Sequence, residues 1–158
     1  KSVIKSFIQW SLLMLFLSFS SANAASGVFE MTVDKPVSEV YDKVYKSLED
    51  ARFYVVLEPD IGKNLSGFAE RWGDEYNRNK LSAIKSMVFC NGWYANQVSN
   101  KDPGMLAFCP LRMTLFEKDG KTTALFARPT VIAADSPALE ILTELEYEVI
   151  AAIKQGMN

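Results

Sequence analysis

The sequence predicts an α+β domain in two layers, an antiparallel sheet of about five strands with two main helices packed on one face. Three observations carry that expectation. Strand-like apolar runs recur at residues 28–33, 53–57, 81–90, 107–117 and 122–128. Two longer segments, 36–51 and 136–156, instead space their apolar residues three and four apart, as amphipathic helices do. Between the last two runs stands Lys118-Asp119-Gly120-Lys121, a strong hairpin signal that makes those strands antiparallel neighbours.

Taken in order, Phe29, Met31 and Val33 share one side of the first run, so one face is buried. Pro36 suits a first helical turn, and Val37, Val40, Tyr41, Val44, Leu48 and Ala51 then form one stripe opposite a charged face. The second strand, 53–57, is stopped by Pro59. From 60 to 80, Ile61, Leu65, Phe68, Trp72 and Tyr76 favour a short covering helix that Gly67 and Gly73 weaken. The third strand follows at 81–90. Residues 91–105 hold Asn-Gly and Asp-Pro-Gly, both turn signals, and are expected to form a loop with one helical turn around 93–98. After the hairpin, Ser136 can cap the last helix, Pro137 fits its first turn, and Gly156 fits just past its end. Glu140, Glu144, Glu146 and Glu148 read as its solvated face.

The N-terminus has its own pattern. Lys1 and Lys5 precede an apolar run at 7–19, and Ala22-Asn23-Ala24 closes it, which matches a signal peptide of residues 1–24 cleaved after Ala24. Residues 25–158 are then the single α+β domain, exported to the periplasm or secreted. The run falls short of the ~20 residues of a membrane span, so no stable anchor is expected after cleavage. Removing those residues takes away two lysines and no acid, moving the formal charge from −2 to −4. A mildly acidic domain has no electrostatic reason to bind nucleic acid or anionic membrane.

The chain has no histidine. That excludes Ser-His-Asp and Cys-His catalysis and His-ligated zinc or haem. Its two cysteines cannot complete a four-thiolate zinc or iron–sulfur site within one chain. No metal site and no cofactor are expected. A haem would need Met, Cys or Tyr as its axial ligand, for instance Met87, Met105 or Met113.

Cys90 and Cys109 sit at the end of the third strand and the start of the fourth, which should be neighbours. Three readings stay open: a disulfide closing a loop of about 20 residues, worth roughly 3 kcal/mol; two inert buried thiols; or a working thiol. The last needs a lowered pKa, and Arg112 is the nearest cation in sequence. Trp72, Tyr76, Trp93 and Tyr94 lie in the two least regular segments. Large aromatics more often fill a small core, but here they are also candidates, with Asn91, Arg112 and Met113, for the walls of an apolar ligand pocket.

Several segments together carry a family resemblance: Val33-Asp34-Lys35-Pro36-Val37, Ala51-Arg52-Phe53, Phe89-Cys90-Asn91, Cys109-Pro110-Leu111-Arg112-Met113 and Arg128-Pro129. The arrangement resembles domain-of-unknown-function family 302. The resemblance implies a TATA-binding-protein-like fold, a curved antiparallel sheet in β-α-β(4)-α order, often seen as a homodimer, and no established reaction. Gly92 and the order Cys109-Pro110 depart from the family pattern. The expected function is therefore an exported, non-catalytic dimeric domain binding a small apolar ligand or a protein partner. Thiol or sulfur handling through Cys90 or Cys109 is the alternative.

Overall fold

The structure, a computed structural model, describes residues 27–158, so the expected signal peptide and its cleavage site lie outside the described residues. Five strands form one sheet: β1 (Val28–Val33), β2 (Tyr54–Leu57), β3 (Ala83–Cys90), β4 (Leu111–Lys118) and β5 (Lys121–Ala127). Their spatial order is β1-β5-β4-β3-β2, every pair antiparallel. Asp119 and Gly120 both have positive φ (52° and 72°) and close the β4–β5 hairpin, the conformation an Asp-Gly turn favours.

Two helices cover one face. These are α1 (Val37–Asp50) and the last helix, α6 (Leu139–Met157). Met87, Phe89, Met113, Leu115, Ala124 and Phe126 point from the sheet into their layer, where Val40, Val44, Leu48, Val149 and Ile153 meet them in one buried cluster. This is the expected α+β arrangement, with the main elements in the order β-α-β-β-β-β-α. Gly156 is a correction. It lies inside α6, and a Cβ there would stand 2.4 Å from the Val44 Cα. It is glycine because two helix backbones touch, not because the helix ends.

The connecting segments depart further from expectation. Residues 61–75 break into α2 (Ile61–Ser66), α3 (Ala69–Trp72) and a 3₁₀ turn (Gly73–Glu75), and none of these contains a buried residue. Gly73, with φ 51°, makes the second break. The expected single turn at 93–98 is a ten-residue helix, α4 (Gly92–Lys101), because the Asn91 side chain accepts from the Trp93 and Tyr94 amides, and Tyr94 and Val98 are both buried. Residues Pro103–Phe108 form a 3₁₀ turn, so the fourth strand begins at Leu111 and not at 107. A one-turn helix, α5 (Pro129–Ile132), precedes α6.

Glu146 also corrects the solvated-face reading. It is 5% exposed and accepts from Arg128 Nε at 2.8 Å, the Thr130 amide at 3.0 Å and the Thr130 hydroxyl at 2.6 Å. Burial pushes its pKa up, but Thr130 and Arg128 outweigh burial and the net shift is downward.

The other face of the sheet carries no helix of the main layer. Ile84, Val88, Thr114, Phe116 and Leu125 are half-buried on it, with Glu30 and Arg112 exposed beside them. Hydroxyl pairs cross it at Ser86–Thr114 (2.5 Å) and Thr32–Thr123 (2.7 Å).

Candidate functional site

Chain direction after β2 creates the larger opening. Pro59 and Asp60 stay against the edge of β3, where the Ser86 amide donates to the Pro59 carbonyl at 2.9 Å and the Asp60 backbone forms an isolated antiparallel bridge with that of Lys85. Gly62 lets α2 approach closely, since a Cβ there would lie 3.1 Å from the Ile84 amide nitrogen. The arm of residues 61–82 then turns back at Asn77, whose side chain exchanges hydrogen bonds with the Leu81 backbone. Between arm and strand is a cleft of about 720 Å³. Leu65, Trp72, Tyr76 and Ile84 give it apolar walls, and Lys63 and Arg78 stand among its charged lining. Trp72 is 39% exposed and stacks on Phe68 with ring centroids 4.9 Å apart, so it does not fill the core.

A second cleft, of about 430 Å³, lies at the start of α4. Asn91, Trp93 and Tyr94 line it together with Arg52, Tyr54 and Glu148. Trp93 is 67% exposed, whereas Tyr94 is 7% exposed and stacks on Phe53, so Tyr94 belongs to the core. Burial and the neighbouring Glu148 carboxylate push the Tyr94 phenol up to about 12. Arg52, Tyr54 and Glu148 were not among the expected site residues. The signal for Arg52 was its place in the family-resembling segment Ala51-Arg52-Phe53, and at φ 64° it occupies the left-handed position ending α1 that usually goes to glycine.

The expected pocket residues thus divide. Trp72 and Tyr76 share the first cleft, while Asn91, Trp93 and Tyr94 share the second. Arg112 lies on the open face of the sheet, opposite Val88. Met113 is 1% exposed in the core, paired across strands with Met87, so neither is presented to a ligand or a haem without opening the core. Met105 is half-buried near the cysteines.

Those cysteines do come together. Cys90 ends β3, and Cys109 stands two residues before β4, where the strict in-and-out alternation of a strand does not yet apply. Their sulfurs are 3.5 Å apart, a contact of two free thiols. Burial, and then Cys90 itself, push the Cys109 thiol up to about 11, so it is protonated at neutral pH and the Arg112 guanidinium does not offset this. Among the described residues, no group of three or more Cys, Asp or Glu side chains is placed to hold a metal ion, and no helix is long and apolar enough to cross a membrane.

Comparison with known proteins agrees with this architecture. The family model described as "Domain of unknown function DUF302" matches residues 29–156. The chain belongs to the DUF302 family. The match runs from β1 to the end of α6, so it takes in both clefts and the thiol pair. A crystal structure of an uncharacterized conserved DUF302 protein from Bacillus stearothermophilus superposes with a TM-score of 0.71. It is 21% identical to this chain, and the alignment covers 83% of this chain and 98% of that one, which shows a shared fold. No curated protein matches this chain.

Proposed function

We propose that this DUF302 chain is an exported, non-catalytic binding domain. It works as a homodimer and holds a small ligand with an apolar body in the cleft beneath the 61–82 arm. The observation that carries the reading is the aromatic wall. Trp72, held by stacking on Phe68, faces a space of about 720 Å³ that Tyr76 and Ile84 also line. Volume and mixed lining are those of a small-molecule site, with charged residues to orient a polar end.

The dimer rests on the open face of the sheet. A two-layer domain leaves that face to water or to a partner, and Val88, Phe116 and Leu125 are poor company for water. Glu30 and Arg112 place opposite charges on the same face, which a two-fold-related copy can match. The β2 edge is less available, because the Val55 amide already donates to Glu49 Oε1 at 2.8 Å. Family resemblance points the same way, and export follows from the N-terminal pattern.

Native mass spectrometry of the mature protein purified from its own host tests both parts. A dimer mass with a retained small molecule is expected. Trp72→Ala should lose the small molecule and keep the dimer, whereas Phe116→Glu should give monomers. A monomer at high micromolar concentration in sedimentation overturns the dimer. A retained ligand indifferent to Trp72→Ala overturns the cleft.

A further inference from the structure

Residues 91–108, α4 followed by the 3₁₀ turn, form a lobe whose two ends return to one place. Cys90 leads into it and Cys109 leads out. Their backbones are held near each other by the β3–β4 ladder, whose last paired residues are Phe89 and Leu111. The lobe's other ties are to α6 and the segment before it, where Val98 is buried with Ala133, Ala138 and Leu142 and Met105 packs on them. Asp102 accepts from the Gly104 amide at 3.0 Å and from the Ser136 hydroxyl at 2.6 Å, which fixes its far end. Tyr94 and Val98 pack inward. Beneath it, Met105, Phe108, Leu142 and both cysteines line an apolar cavity of only about 20 Å³, close to the size of a single water. Cys109 is the more exposed residue of the pair and Cys90 half-buried, so a visiting molecule reaches Cys109 first, although its sulfur is partly desolvated against the cavity.

We propose that Cys90 and Cys109 are a redox pair that latches the 91–108 lobe at its root, oxidised by exchange with a disulfide-bearing partner. The Cys109 thiolate attacks one sulfur of that disulfide, and the other sulfur leaves as a thiolate that takes up a proton. The Cys90 thiolate then attacks the Cys109 sulfur and expels the second thiol. Two electrons and two protons have passed to the partner, now reduced, and one S–S bond has formed in the chain. A reducing dithiol reverses each step.

The starting geometry asks for little movement. The ladder ends at Phe89 and Leu111, beside both cysteines, and the sulfurs need to approach from 3.5 Å to the ~2.05 Å of a disulfide. The high pKa of the Cys109 thiol keeps it mostly unreactive, so exchange favours a partner whose departing thiol is a good leaving group. The bond closes one end of the lobe, while Asp102 and Ser136 hold the other. Reduction therefore releases the root of the lobe and loosens α4 about its buried Tyr94 and Val98 without touching the sheet.

Equilibrating the mature protein with glutathione at graded oxidised-to-reduced ratios tests this, with mass spectrometry and hydrogen exchange as readouts. The oxidised limit should be a chain lighter by two hydrogens, with no free thiol after unfolding and a single cross-linked Cys90–Cys109 peptide. Amides of 92–108 should exchange at least tenfold faster in the reduced form, while those of β3 to β5 are unchanged. Cys90→Ala should accumulate a glutathione adduct on Cys109, and Cys109→Ala should accumulate far less on Cys90. Two free thiols at every ratio overturn the proposal, as does a bond only between chains. Equal exchange of the lobe in both forms overturns the latch even if the bond forms, and the wild-type readouts stand whether or not the variants fold.

Discussion

The 61–82 arm and the 91–108 lobe look alike as sequence: two aromatic-bearing stretches interrupted by glycine and turn signals. They fold to opposite ends of the packing scale. In the lobe, Asn91 caps α4 and the i,i+4 pair Tyr94 and Val98 lies on surface that the core takes up, with Tyr94 stacked on Phe53. In the arm, Phe68 and Trp72 have the same spacing, but nothing of the core lies beneath them and they stack on each other at the surface. An apolar i,i+4 pair is an offer of burial, and whether it is accepted depends on what tertiary structure brings opposite. The declined offer in the arm is what leaves an aromatic wall on the cleft.

The comparison breaks most sharply where the packed side is tightest. Gly156→Ala drives a Cβ into the backbone of α1 near Val44, and stability should fall by more than about 3 kcal/mol in urea unfolding. Tyr94→Ala removes the lobe's anchor. A loss of about 3 kcal/mol is expected, together with faster hydrogen exchange across α4.

Glu146→Gln weakens the tie between α6 and the Arg128–Thr130 corner, and about 1–2 kcal/mol should be lost at neutral pH. The sign of its pH dependence follows from the lowered pKa. The carboxylate's contribution is full above its ordinary value of 4.5 and disappears as pH falls through the lower folded value. Wild type should therefore lose stability more steeply than Glu146→Gln below about pH 4.5, and parallel acid curves would contradict the assignment. The smallest effect belongs to the arm. Trp72→Ala should change stability by less than about 1 kcal/mol, since the indole is already partly in water. A loss comparable to that of Tyr94→Ala would mean that the arm is packed after all.

Local chemistry is what the sequence by itself determined. The Asp119-Gly120 turn needs positive φ that few residue pairs supply, so the β4–β5 hairpin was legible. The α1 and α6 stripes carry enough apolar residues at helical spacing to be read without any partner in view. The absence of histidine excluded whole classes of chemistry before any coordinate was known. Even the meeting of Cys90 and Cys109 was within reach, because consecutive antiparallel strands must end near each other.

Tertiary structure decided whatever depends on two distant segments occupying the same space. Gly156 read as a helix stop because glycine serves both roles, and only the crossing of α1 and α6 shows which one is used here. Glu146 read as solvated because its helix neighbours are acidic, until the β5–α5 corner placed Arg128 and Thr130 against it. Arg112 and Met113 were both read as pocket residues, but alternation along β4 sends the two side chains to opposite faces, one to the open sheet and one into the core. The candidate aromatics divided between two clefts for the same reason: spacing along a chain sets a residue's direction, and only the folded neighbours decide whether that direction ends in core, cleft or water.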